Sequence, residues 1–318
     1  MITVSELSKR LIEEKSVAIF CHVRPDGDTV GSAFALKNLL EAKGTIAKVY
    51  CDDTLPEKFT FLVDAKLLCN GELDKNVSAM IAVDCAEISR LGKYAQEFLD
   101  CKNTYNIDHH VSNTRYAKYN YVCGVPANAI NIYDIAVAIG GTLDIETVNL
   151  LAMGIITDTG SFTHQNVDSR AFLVASKLVE LGADQNKIYY NTFKKQTKNR
   201  AKLFAKVMAK LRFFHSDRLV VGTVTQSDLE QTGAHPSETE GFVDFMLGID
   251  TVEVCACVME MGENKYKISL RSKGADVNAV ASEFGGGGHI LASGCQINAE
   301  YEEVVDRLSF AVSKQLID

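Results

Sequence analysis

Short apolar runs alternate with helical spacing through the first half of the chain. Residues 17–21, 79–83 and 105–107 have the length and composition of strands buried on both faces of a parallel sheet. Residues 29–43, 91–99, 127–139 and 145–156 repeat their apolar positions at helical intervals. Alternating strands and helices predict an α/β domain built on a parallel sheet. A further helix is expected over 169–181, and the turn Gly182-Ala183-Asp184 then opens a long basic stretch that reads as one helical linker. A second α/β unit follows, with strands near 219–224, 252–259 and 266–271, helices near 237–247 and 301–315, and four consecutive glycines at 285–288. The pattern therefore predicts a parallel-sheet domain over 1–184, a basic helical linker over 185–212 and a smaller α/β domain over 213–318.

Composition adds exclusions. The chain has 318 residues, 47% hydrophobic and 23% charged, with four prolines and no tryptophan, an ordinary globular composition long enough for two cores. No apolar run approaches the roughly 18 residues of a membrane helix. The first fifteen residues are charged and carry a Thr3 to Glu6 capping-box spacing instead of a secretory signal pattern, so a cytoplasmic location is expected. Nine scattered cysteines lack any C-x-x-C pair and read as reduced core thiols; Cys255 and Cys257 alternate along a strand and are expected to pack.

The net charge of −8 argues against a protein that coats long nucleic acid. Yet no acid lies between Asp184 and Asp217, where Lys and Arg supply nine positive charges, so the rest of the chain carries −17 once these nine are subtracted from −8. The stretch is either a solvated helix face or a basic wall beside an anionic substrate.

The chemistry gathers where strands end. The first strand runs into Cys21-His22-Val23-Arg24-Pro25-Asp26-Gly27-Asp28-Thr29, which places one imidazole and two carboxylates on a bent loop that opens a helix. The strand over 79–83 delivers Asp84 and the next delivers Asp108-His109-His110, while Asp158 follows an apolar helical run and precedes Thr159-Gly160. Ligands of open parallel sheets bind outside the carboxyl ends of the strands, so these loops are expected to be neighbours. Asp26, Asp28, Asp84 and Asp158 together would repel one another unless protons or cations intervened. Two divalent ions would neutralise them, and carboxylate with imidazole, free of thiolate, suits Mn²⁺.

These four motifs resemble those of the DHH phosphoesterase superfamily, and Gly285-Gly286-Gly287-Gly288-His289 with Ala292-Ser293-Gly294 resembles the glycine-rich signature of the DHH-associated domain found on its nucleotide-hydrolysing branch. The resemblance covers nearly the whole chain. It implies one metal ion on His22, Asp26 and Asp84 and a second on Asp28, Asp84, His109 and Asp158, with Asp84 bridging. It also implies that Asp108 orients an imidazole and that His110 faces the scissile phosphate. Arg271, Gly286, Gly287, Gly288, His289, Ser293 and Asn113 would contact substrate, with Arg90 a weaker candidate. Where relatives often carry a basic or aromatic pair this chain has Thr163-His164, which puts substrate preference in doubt and leaves the metal core untouched.

The implied reaction is two-metal hydrolysis of short oligoribonucleotides to mononucleotides and removal of the 3′-phosphate of 3′-phosphoadenosine 5′-phosphate (pAp). No membrane partner is expected, and a homodimer is left open. A cyclic-dinucleotide or linear pApA phosphodiesterase shares the motifs and remains an alternative. The family II inorganic pyrophosphatases share the metal motifs but lack the glycine-rich signature, and a non-catalytic nucleotide sensor would need a missing ligand.

Overall fold

The computed structural model describes residues 2–74 and 76–316. The chain forms two compact units, one ending at Lys195 and the other beginning at Gln196. Residues 185–195 of the basic stretch thus belong to the first unit and 196–212 to the second. Among the described residues no helix is long and apolar enough to cross a membrane.

In the first unit, strands β1 (Ser16–Phe20), β2 (Ile46–Tyr50), β3 (Leu68–Cys69), β4 (Ala79–Val83), β5 (Thr104–Asp108) and β6 (Tyr119–Val122) form a parallel sheet in the order β3-β2-β1-β4-β5-β6. Successive strands step outward from β1 in one direction and then from β4 in the other, which makes the β1/β4 boundary the point where loops diverge and leave a crevice. Asp84 follows the fourth strand, because two further strands, Ile46–Tyr50 and Leu68–Cys69, lie between those expected at 17–21 and 79–83.

The helices of this unit are α1 (Val4–Glu13), α2 (Gly27–Glu41), α3 (Ala95–Asp100), α4 (Asn128–Ile139), α5 (Ile145–Asp158), α6 (Ser169–Glu180) and α7 (Gln185–Tyr189). The Thr3/Glu6 capping box forms at the start of α1. Helix α2 is apolar nearly all round and buried from Gly27 through Leu36, as a helix enclosed by neighbours must be. Its contact with α5 is made through glycines. A Cβ on Gly31 would lie 2.4 Å from the Leu150 carbonyl, and one on Gly154 would lie 2.7 Å from Asp28 Oδ1. Only this close approach lets the start of α2, with Asp28, meet the end of α5, with Asp158.

The second unit contains α8 (Lys198–Met208), β7 (Arg212–Phe214), β8 (Leu219–Val224), α9 (Gln226–Thr232), α10 (Phe242–Leu247), β9 (Val254–Gly262), β10 (Lys265–Ser272), α11 (Val277–Ser282), β11 (Gly287–His289), β12 (Ala292–Asn298) and α12 (Tyr301–Ser313). Its sheet runs β11-β12-β10-β9-β8-β7 and is antiparallel except between β8 and β9. One face buries Val221, Ala256, Ile268 and Leu270 against Val304 and Leu308 of α12. Part of the other buries Val220, Cys255 and Cys257 with Leu203 of α8 and Phe242 and Met246 of α10.

Three predicted helices are broken. Residues 91–99 divide into a 3₁₀ turn, Ile88–Tyr94, and α3, because Gly92 adopts φ 60°, ψ −133°. Residues 237–247 divide into the 3₁₀ turn Pro236–Thr239 and α10, with Gly241 at φ 81° between them. The basic stretch continues from α7 through a π turn, Tyr190–Lys194, to an extended Lys195 and restarts at α8. Part of its charge is spent inside the second unit: Lys206 and Lys210 pair with Asp228, and Arg212 pairs with Glu302.

Candidate metal centre

The loops after β1, β4 and β5 meet at the carboxyl edge of the first sheet. Asp26 is the N-cap of α2, its Oδ1 accepting from the amides of Asp28 and Thr29 at 3.1 Å. Thr29 ties this loop to its neighbours: its hydroxyl donates to the Val83 carbonyl and accepts from the His22 amide. Asp84 has φ 53°, a backbone conformation uncommon away from glycine, at the point where it leaves β4. Asp28 has a second task. Its Oδ2 accepts from the Asn128 amide at 2.5 Å and its Oδ1 from the Ala129 amide at 2.9 Å, so it caps α4, whose own N-cap, Ala127, has no side-chain oxygen.

Two sets of side chains converge around Asp84. Its Oδ2 lies 3.6 Å from His22 Nε2, which is also 3.6 Å from Asp26 Oδ2. Its Oδ1 lies 3.2 Å from His109 Nε2, which is 3.8 Å from Asp158 Oδ2. Donor atoms of His22, Asp26 and Asp84 all lie within 4.8 Å of one another, as do those of Asp28, His109 and Asp158, and those of Asp84, Asp108, His109 and His110.

The electrostatics are those of a site short of positive charge. Burial opposes the charged form of His22, but the Asp26 and Asp84 carboxylates outweigh it and push the ring up to about 10. Burial likewise opposes charge on His109, and Asp84 and Asp28 push it up to about 10. Burial together with the charges of Asp84 and Asp158 holds Asp28 well above the carboxylate range. Asp158 is pushed up to about 6 by burial, with the Asp84 and Asp26 charges reinforcing it against His109. Asp26 stays below its usual value because His22 and two backbone amides overcome its burial.

The residues fit divalent ions. Asp84 Oδ1 is a buried oxygen with no hydrogen-bond partner, which leaves a lone pair for a cation in a place where an unsatisfied oxygen is costly. Both imidazoles are oriented for ligation through Nε2, since each has its Nδ1 on a backbone carbonyl, Val23 for His22 and Val125 for His109, at 2.9 Å. Hard oxygens with imidazole nitrogens suit an octahedral divalent ion.

Behind this cluster lies an orienting network. His110 Nδ1 is 2.8 Å from Asp108 Oδ1, and Asn113 donates to Asp108 Oδ2 at 2.5 Å and to Asn106 Oδ1 at 2.7 Å. Asp108 is fully buried and lies below its usual pKa, because the His110 and Asn113 hydrogen bonds overcome the cost of burial. Asn113, expected among the substrate contacts, has its amide committed inward. His164 sets its Nδ1 on the Asp158 carbonyl at 3.1 Å and so braces the turn after α5. Sequence reasoning missed the Asn128 and Ala129 amides, Ser32, whose hydroxyl donates to Asp28, and Asn106.

In the second unit, Arg271 pairs with Ala292 across β10/β12, and Ala292 pairs with His289 across β12/β11. Directly paired residues share a face, so Arg271 and His289 lie on one side of the sheet, two strand spacings or about 10 Å apart. Arg271 also borders an open cavity of about 530 Å³ with Lys267, Asp244, Met259 and Met261. The glycine run is not a loose loop. A Cβ on Gly286 would meet the Gly294 carbonyl at 2.2 Å and one on Gly288 the Ala292 carbonyl at 2.5 Å, so both are required by packing against β12. The amides of Gly285, Gly286 and Gly288 already donate within the unit, the last to Asn278 Oδ1. Ser293 is buried with its hydroxyl on the Val277 carbonyl.

Residues 16–155 match the DHH family, N-terminal domain, and residues 216–317 match the DHHA1 domain. A Streptococcus mutans protein named probable bifunctional oligoribonuclease and PAP phosphatase NrnA is 28% identical over 92% of this chain and 94% of its own length. A Thermus thermophilus protein named bifunctional oligoribonuclease and PAP phosphatase NrnA is 26% identical over 99% of this chain and 94% of its own. An exopolyphosphatase-related protein from Bacteroides fragilis has the same fold, with a TM-score of 0.83 at 22% identity, covering 98% of this chain and 96% of that one. The chain therefore carries the N-terminal domain of the DHH family followed in sequence by a DHHA1 domain, and it is a metal-dependent phosphoesterase with an acidic and histidine cluster that could bind metal at its sheet edge.

Proposed function

We propose that the protein is a two-metal phosphoesterase that hydrolyses short oligoribonucleotides to mononucleotides and removes the 3′-phosphate of pAp to give AMP. The observation that carries this reading is Asp84, whose two oxygens face two separate histidine and carboxylate groups. His22, Asp26 and Asp84 would hold one ion, and Asp28, Asp84, His109 and Asp158 the other, with Mn²⁺ the metal best suited to these donors. Bound ions would supply Lewis-acid neutralisation of the phosphoryl oxygens and a lowered pKa for the attacking water. The substrate activities named for the relatives at 26–28% identity support the choice of nucleotide.

The chain's own groups divide the remaining work. Asp108 fixes the His110 ring through Nδ1 and leaves Nε2 as the nitrogen that donates to the substrate, as a proton donor to the leaving oxygen. Asn113 and Asn106 hold Asp108 in turn. Arg271 and His289, on one face of the second sheet, suit the distal phosphate or base, with Gly286, Gly287 and Gly288 setting the strand that carries His289 and Ser293 anchoring its neighbour.

The test is chromatography of products after incubation with Mn²⁺ and RNAs of two to five nucleotides, a 24-mer, pAp, pApA and cyclic di-AMP. The expected result is mononucleotides from the short RNAs in preference to the 24-mer, and AMP from pAp, with a salt dependence corresponding to only a few phosphates. Rates that rise with RNA length, or turnover confined to pApA and cyclic di-AMP, would overturn this reading.

A further inference from the structure

On the second sheet stands a cavity of about 530 Å³, lined on one side by the 3₁₀ turn Pro236–Thr239 and the start of α10 and floored by β9 and β10. That volume is in the range of pockets that hold a small molecule. Strand register sets the floor. Ser269 lies directly opposite Cys257 on β9 and Gly294 on β12, so the middle of the floor carries only small side chains. Lys267 lies opposite Met259, and Arg271 follows four residues along β10, about 13 Å away on the same face.

The lining carries both signs of charge, on different elements. Lys267 and Arg271 rise from the floor, whereas Glu240 and Asp244 belong to the wall. Arg271 is partly committed: its Nη1 donates to the Leu270 carbonyl at 3.0 Å and its Nε stands 3.8 Å from Asp244 Oδ1. Lys267 is exposed and, among the described residues, has neither an ion pair nor a side-chain hydrogen bond. An ammonium without a partner at the edge of a cavity suits a phosphate, while the carboxylates of the wall repel a second one. Those carboxylates accept instead from the exocyclic amino groups of bases. Met259 and Met261 add polarizable apolar surface of the kind that packs against an aromatic ring. An anion, a flat ring and amino donors together describe a nucleotide.

We propose that this cavity is a subsite for a further nucleotide of a short RNA, with Lys267 on its phosphate and Glu240 and Asp244 facing the amino groups of its base. The inference rests on the oligoribonucleotide reading and deepens it by adding a contact that pAp, with a single nucleoside, does not need. Arg271, at the border of the cavity, is then where the nucleotide assigned to Arg271 and His289 meets the next one.

Lys267→Ala and Ser269→Leu, the second filling the floor, should be compared with the unaltered full chain. The readouts are the affinity for tetra-adenylate by calorimetry, with Ca²⁺ in place of Mn²⁺ to hold back turnover, the salt dependence of that affinity, and KM on pAp with Mn²⁺. Lys267→Ala should weaken tetra-adenylate binding about fivefold or more and lower the salt slope by about 0.7, the share of one phosphate on a single strand. Its melting temperature should match that of the original, since the side chain is exposed and unpaired. Its KM for pAp should change less than about twofold, because pAp leaves this subsite empty. Ser269→Leu should weaken tetra-adenylate binding by taking the room of the base. Tetra-uridylate, which has no amino groups, should bind the unaltered protein more weakly than tetra-adenylate. Unchanged tetra-adenylate affinity in either variant, an equal loss on pAp in Lys267→Ala, or equal affinity for the two tetranucleotides would overturn the proposal. Calorimetry needs no turnover. Tetranucleotide binding that depends on Lys267 in a protein that hydrolyses no short RNA would contradict the oligoribonucleotide reading and keep the subsite, and hydrolysis of short RNA with binding indifferent to Lys267 would do the reverse.

Discussion

Replacing Asp84 with asparagine should abolish nearly all turnover while leaving the fold intact. Asparagine has the same shape and tolerates the positive φ of this position at least as well as aspartate. The backbone amide of residue 84 keeps its bond to the Ile107 carbonyl, and an asparagine oxygen can still face His109 Nε2 as Oδ1 does at 3.2 Å. The substitution removes repulsion with Asp28 and Asp158 and, against it, the pairing with His22 and His109, so the melting temperature of the metal-free variant should shift only modestly. The shared anionic ligand, however, disappears from both halves of the site. Losing a group that merely orients a metal ligand typically costs 10- to 100-fold, and loss of a bridging ligand should cost more, about a thousandfold or greater. Melting curves, bound metal and turnover on pAp check this together. Near-normal turnover in a folded Asp84→Asn protein would remove the basis for a bridged pair of ions.

The second large effect concerns His110. Its Nδ1 is committed to Asp108 and the ring contributes to neither group that surrounds Asp84 on the His22 and Asp158 sides, so His110→Ala should retain metal. Loss of a positioned proton donor typically lowers kcat by about 10²- to 10⁴-fold, and that range is expected on pAp or dinucleotide substrates. An aryl phosphodiester releases a phenolate that needs no proton, so on it the loss should shrink to less than about tenfold. Equal losses on both substrates would contradict proton donation and assign the ring a contact with the phosphoryl oxygens instead.

The acidic cluster was legible in the sequence because each of its parts is a short motif at a strand end, where the α/β topology makes distant segments neighbours. His22 with Asp26 and Asp28, Asp84, Asp108 to His110, and Asp158 could all be read this way. What joins them could not. Asp28 caps a helix one hundred residues further along the chain, and no local spacing announces that bond. Gly31 and Gly154 look like ordinary helical glycines until α2 and α5 are seen to pack through them. The broken helices have a different cause: apolar spacing runs on through Gly92 and Gly241, and only the positive φ at each reveals the break. In the glycine run, the resemblance implied contacts with substrate, whereas the structure gives Gly286 and Gly288 a steric reason to lack side chains and their amides protein partners. Arg271 and His289 were legible as cations, but their common face follows from strand register, which the sequence does not print.

The account turns on two ions sharing Asp84. Anomalous diffraction from crystals of the full chain soaked in Mn²⁺ tests it directly. Two peaks are expected, about 3.5 to 4 Å apart, on either side of the Asp84 carboxylate, one against His22 and Asp26 and the other against His109 and Asp158. A single peak away from Asp84, or none at a concentration that supports hydrolysis, would contradict it.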